Sequence, residues 1–286
     1  MPATITGLRV PVPGAEIVAD LYTSPSAGRR GIISYHGYTL DRRQKRSLAE
    51  RCSEKGYIAL NVDMRGHGES SGEYNADECA RDLVHLAGLM RREMSVDDVT
   101  VEGTSAGAYI GFLSSIYDIN GNIDRFAGHT LPGWLKPYED QPMYRGAGLI
   151  NIWTAPLFHA LMRRYHGHIV PLIRERVNPL FDYDPEKDEF RIRNAHTRNI
   201  RRFRKGSWGS APLKDLIGRM NGSPYLVIRT PDDMHIDPED TTETALAMLG
   251  AGKDVTILEL PGRFTRPDEF LPVADALMDW VEKKAA

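Results

Sequence analysis

Hydrophobic residues along this chain fall into short runs of two kinds. The first 24 residues hold two stretches, TGLRVPVP and AEIVADLYT, in which apolar and polar positions alternate with the period of antiparallel strands. Six later runs are compact and almost wholly apolar: GIISYHG (31–37), YIALNVD (57–63), VTVEG (99–103), RFAGHTL (125–131), PYLVIRT (224–230) and VTILELP (255–261). Such runs, stopped by glycine, proline or a charge, predict strands buried on both faces. Between them the apolar spacing changes to that of a helix. Leu48, Ala49 and Cys52 share a face in 41–55, and Cys79, Leu83, Leu86 and Met90 share one in 77–93, with His85 outside the stripe. SAGAYIGFLSSIY, APLKDLIGRM (211–220), 238–250 and 268–283 read as further helices. This alternation predicts an α/β fold, a mainly parallel eight-stranded sheet with helices on both faces.

The alternation lapses over 133–210, a stretch rich in Trp, Pro, Arg and His without clean strand runs. A core made of 1–132 and 211–286 that carries 133–210 as an inserted helical cap is the expected organisation. Composition changes this picture little. Hydrophobic residues are 41% and charged residues 26% of 286, and the net charge is −3, so nothing global calls for nucleic acid or an anionic membrane. Cys52 and Cys79 both fall in predicted helices, which argues against a disulfide framework. The chain shows no signal-peptide pattern and no apolar run near the ~18 residues of a membrane span, so a cytoplasmic protein is expected. Neither metal-ligand spacing nor a phosphate or dinucleotide loop is present, and no metal or cofactor is expected.

The chemistry begins at a strand–helix junction. VEGTSAGAYIG contains Gly103-Thr104-Ser105-Ala106-Gly107, a G-x-S-x-G motif between a predicted strand and a predicted helix. That is the setting of a nucleophile elbow, in which glycines permit a strained turn and the serine stands clear of the sheet above a helix N-terminus.

Three separated motifs in order carry a family resemblance. SYHGY, NVDMRGHGESSGEY and GTSAG resemble the H-G, D-x-R-G-H-G-x-S and G-x-S-x-G segments of the α/β-hydrolases. The resemblance implies Ser105 as nucleophile and an oxyanion hole made by the N–H groups of Tyr38 and Ala106. It implies turn-stabilising roles for His36 and His67. It also implies an acid in RTPDDMHIDPED; the spacing favours Asp233, with Asp232 as neighbour and competitor.

The family's base is missing. A histidine is expected just after the last strand, but PGRFTRP offers Arg263, Phe264 and Thr265, and no histidine follows His235. Arginine stays protonated and cannot serve as a general base. His235, two residues beyond Asp233, is the first candidate to replace it. His129, at the C-terminal edge of a strand, is the alternative, followed by His159, His166 and His168 of the cap.

The cap bears on substrate. RIRNAHTRNIRRFRK (191–205) carries seven Lys and Arg residues, and GLINIWTAPLFHALMRRY offers an aromatic, apolar surface. Arg201 and Trp153 stand for these two features as candidate substrate contacts, beside the plain readings of a solvated helix face and cap packing. The expected function is an enzyme acting on an ester, thioester or amide-type acyl group of a small molecule, anionic or carrier-bound, with a homodimer allowed. The alternative is a non-hydrolytic acyltransferase, lyase or cyclase, or a ligand-binding protein.

Overall fold

The computed structural model describes residues 3–38, 40–135, 211–231, 233, 236–262 and 267–285, together with the backbone of 181–184 and 189–192. The chain starts as a hairpin, β1 (Thr4–Val12) against β2 (Ala15–Thr23), closed by Pro13-Gly14 with Gly14 at φ 75°. β3 (Arg30–Tyr35), α1 (Arg46–Glu54), β4 (Ile58–Val62), α2 (Ala76–Glu93), β5 (Asp98–Thr104), α3 (Ala106–Tyr117) and β6 (Arg125–His129) follow in alternation. Two short strands, β7 (Phe181–Asp184) and β8 (Glu189–Ile192), pair antiparallel in a separate hairpin. Then come α4 (Leu213–Leu216), β9 (Tyr225–Arg229), α5 (Pro238–Gly250), β10 (Val255–Glu259) and α6 (Leu271–Ala285).

The main sheet has the order β1-β2-β4-β3-β5-β6-β9-β10, antiparallel among β1, β2 and β4 and parallel from there on. The eight strands are therefore the eight read from the hydrophobic runs. Each inner strand alternates between two cores. Val99 and Val101 of β5 face Leu83, Leu86 and Phe112 of α2 and α3, whereas Ile32, Ala127 and Leu226 face Leu48, Val273 and Leu277 of α1 and α6.

Two expectations need correction. The run 211–220 is only a four-residue helix followed by a 3-10 turn at Ile217–Arg219, because Gly218 weakens any continuation. The stretch read as lacking strands contains β7 and β8. Each strand is only four residues long. FDYD and EFRI do alternate apolar and polar positions, with Phe181 and Tyr183 in register with Ile192 and Phe190, but two four-residue alternations are too short to stand out in a charged stretch.

The chain between β6 and α4 starts and returns at one place. Leu213 N–H donates to the Gly133 carbonyl at 2.7 Å, the Gly133 N–H donates to Asp240 at 2.8 Å, and the Tyr109 hydroxyl donates to the Ala211 carbonyl at 2.6 Å. Thr241 at the start of α5 bonds the Leu131 carbonyl at 2.9 Å.

Candidate active site

At the C-terminal end of β5 the chain turns sharply into α3. Ser105 sits in the turn with φ 53° and ψ −117°, a conformation L-residues adopt only when their surroundings enforce it. The enforcement is visible in its glycines. A Cβ on Gly103 would lie 2.2 Å from the Gly107 backbone, and one on Gly107 would lie 2.6 Å from the His36 carbonyl oxygen. Strand, helix and the loop after β3 thus meet at van der Waals contact, and only G-x-S-x-G fits. Ser105 is half-buried, and its hydroxyl makes no hydrogen bond to any described residue. Its N–H donates to the His129 carbonyl at 3.0 Å, which ties the turn to the end of β6.

The loop after β3 runs along the same rim, with the Cβ position of Gly37 3.8 Å from the Thr104 carbonyl. Tyr38 follows, half-buried, its ring 5.6 Å from that of His67 and 5.7 Å from that of Tyr74. Ala106 opens α3, so its N–H has no carbonyl one turn back to bond. Tyr38 and Ala106 are therefore brought to one rim beside Ser105.

His36 and the D-x-R-G-H-G-x-S segment shape this rim. His36 is fully buried, and its Nε2 accepts the Met64 N–H at 3.0 Å. Nδ1 is consequently the protonated nitrogen and donates to the Gly37 carbonyl at 2.7 Å. Burial lowers its pKa, as suits a neutral ring. Asp63 accepts the backbone N–H groups of Arg42 at 2.7 Å and Glu69 at 2.8 Å, and Gly68 packs so tightly on it that a Cβ would collide. Arg65 forks onto Asp82 at 2.9 and 2.7 Å. These residues tie loops together.

Asp233 lies beyond β9, half-buried, with Oδ1 accepting the Ile236 N–H at 2.9 Å. The carboxylate thus braces its own loop. Asp232, His235, the 263–266 segment, and the cap residues Trp153, Arg201, His159, His166 and His168 lie outside the described residues.

His129 is fully buried at the end of β6. Its Nε2 lies 2.9 Å from the Thr230 hydroxyl, its Nδ1 makes a long 3.5 Å contact with the Thr104 hydroxyl, and the Phe270 ring stands edge-on at 5.9 Å. Burial, and then the charge of Lys45, hold its pKa well below the ordinary value, so the ring is neutral. Both ring nitrogens face threonine hydroxyls in the interior, which does not suit a base for Ser105.

The sheet as described is open, its first three strands antiparallel and the rest parallel, with a strained serine at the strand–helix turn of a central strand. No protein-family model matches the chain, and no curated protein matches it in sequence. Solved structures do match. An esterase from Pyrococcus furiosus superposes with a TM-score of 0.65 at 14% identity, covering 98% of this chain and 90% of the other. A hydrolase from Pseudomonas aeruginosa gives 0.65 at 17% identity, over 97% and 98% of the two chains. The thioesterase domain from the curacin biosynthetic pathway gives 0.63 at 14%, over 96% and 99%. The protein has the α/β-hydrolase fold.

Sequence reasoning missed one feature of this site. Lys45, just before α1, is fully buried, and its Nζ bonds Glu102 Oε1 of β5 at 2.6 Å and the Thr104 hydroxyl, over the Phe270 ring at 4.1 Å. Burial is the larger influence on both groups, lowering the pKa of Lys45 and raising that of Glu102, while each partner's charge opposes it. The two hydrogen bonds and the aromatic face favour the ammonium form of Lys45. An ammonium only donates, so the Thr104 oxygen accepts from Lys45 and its own proton points to His129 Nδ1. Nε2 then carries the ring hydrogen, toward Thr230. Glu102 was the visible signal, a lone acid in the apolar run VTVEG; Lys45 was hidden in the basic run DRRQKR.

Proposed function

We propose that the protein is an acyl-handling enzyme in which Ser105 attacks an ester, thioester or amide-type carbonyl. The observation that carries this reading is the left-handed backbone of Ser105, held by glycine contacts, in a half-buried residue whose hydroxyl is bonded to no described residue. Strain of this kind persists where the surroundings over-determine it and where it serves a site. The N–H groups of Tyr38 and Ala106 would receive the developing oxyanion. Asp233 would serve as the acid and His235 as the base, and the stretch 133–210 as a cap presenting Trp153 and Arg201 to an acyl substrate. The resemblance to an esterase, a hydrolase and a thioesterase domain supports acyl chemistry of this general type.

The absence of any histidine after 235 favours a second reading, in which the acyl group passes to an acceptor other than water. Intact-mass spectrometry after a fluorophosphonate tests both. A single adduct is expected on the wild type, lost in Ser105→Ala and slowed at least ~100-fold in His235→Ala. An unlabelled, folded wild type would sink the serine mechanism. Turnover of p-nitrophenyl esters without an added acceptor separates hydrolysis from transfer.

A further inference from the structure

The mechanism proposed above leaves unused the charged pair buried behind Ser105. Its orientation is fixed by the strand. Glu102 and Thr104 point to the same face of β5, two residues and about 6–7 Å apart, with Thr104 nearer the C-terminal edge. Lys45 enters from the loop after β3 and touches both, so the anionic end of the pair lies deeper in the sheet and the cationic end lies against the residue preceding Ser105. Neither side chain reaches water, each being no more than 1% exposed. The second oxygen of Glu102 makes no hydrogen bond to any described residue, and Phe270 closes the cationic end. The pair is poorly built as a structural tie. A carboxylate with an orphan oxygen in the interior is destabilising, and an apolar replacement would serve packing as well.

We propose that Lys45 and Glu102 form an oriented dipole whose positive end favours negative charge at the Ser105 position. Lys45 is then a positioning residue of the elbow. It acts through Thr104 and adds to the α3 N-terminus in a water-excluded place where salt does not screen it. Its titratable neighbours are Glu102 on β5, His129 on β6, Cys52 on α1 and His36 after β3. His36 and His129 are neutral, and burial pushes the Cys52 thiol up. The net field at the elbow from this group is therefore that of the pair. For catalysis this inference rests on the reading of Ser105 as the nucleophile, but the field can be read without it.

The test uses the full chain carrying Ser105→Cys and follows the thiolate by its ultraviolet absorbance as pH is varied. Cys52 and Cys79 stay silent, because burial raises both. Adding Glu102→Gln leaves Lys45 held by the Thr104 hydroxyl and the Phe270 face alone and, at a pH where that ammonium keeps its proton, should raise the thiolate fraction about tenfold. Adding Lys45→Met with Glu102→Leu removes the dipole and should lower it about tenfold, equally in low and high salt. A merely structural pair would move both variants the same way, or neither, and either result overturns the proposal. The apolar double variant leaves no unpaired buried charge, so it decides the matter alone if Glu102→Gln unfolds. Opposite shifts together with a wild type that resists fluorophosphonate would retain the dipole and reject the serine chemistry.

Discussion

The two faces of β5 have been built for different ends. On one, Val99, Val101 and Gly103 meet α2 and α3 in continuous apolar contact, tight enough that Gly103 admits no Cβ. On the other, Thr100, Glu102 and Thr104 form a polar column in an otherwise hydrophobic layer between the sheet and α1 and α6. A strand buried on both sides needs no polar residue, and burying a charged pair is seldom favourable against apolar packing. The contrast teaches that one face fixes where Ser105 stands and the other fixes the electrostatic surroundings in which it stands.

The largest effect is expected on the packed face. Gly103→Ala forces apart the strand and the first turn of α3 and should cost about 4 kcal/mol or more in a urea melt. A loss under about 1 kcal/mol would mean that the elbow gives way readily and that its strain is not enforced by packing. On the polar face, Lys45→Met strands Glu102 in the interior and should cost about 3–5 kcal/mol, most of it recovered when Glu102→Leu is added. Failure of the second change to rescue stability would make the column a packing feature like its opposite face.

The smallest effect is a pH dependence. His129 has a depressed pKa in the fold, so below the ordinary histidine value near 6.5 the unfolded chain binds a proton that the folded chain does not. Stability contributed by keeping the ring neutral is therefore present above about pH 6.5 and falls as pH drops, at up to about 1.4 kcal/mol per pH unit. Comparing denaturant melts of wild type and His129→Asn between pH 6.5 and 5 should show a slope shallower in the variant by up to that amount. Parallel curves would place His129 outside the buried network.

Much of this molecule could be read from residue order, for identifiable reasons. The six parallel strands of the main sheet were legible because each is a compact, mostly apolar run, and β1 and β2 because apolar and polar positions alternate along them. The helix α5 began at Pro238 as read because Asp237 caps it and proline suits a first turn. Ser105 was legible because a positive φ between a strand and a helix demands glycines at fixed positions. Lys45 was not, since a lysine among arginines reads as a solvated face and only the fold brings it against Glu102, 57 residues away. His129 shows a different limit. A histidine at a strand end can be placed at the correct edge of the sheet, but the pattern does not say whether its ring turns to solvent or toward Thr104 and Thr230.

The neck where Gly133 meets Leu213 has a consequence for how such a protein can diverge. Because the two strands of chain are already clasped there, with α5 bracing Leu131 and Gly133, the ends of anything threaded between them are held together by the core. Lengthening a flexible segment closed at fixed ends costs only about 0.6 kcal/mol per doubling. Descendants of this chain can therefore exchange the whole intervening stretch as a cassette, while the sheet beneath keeps its register.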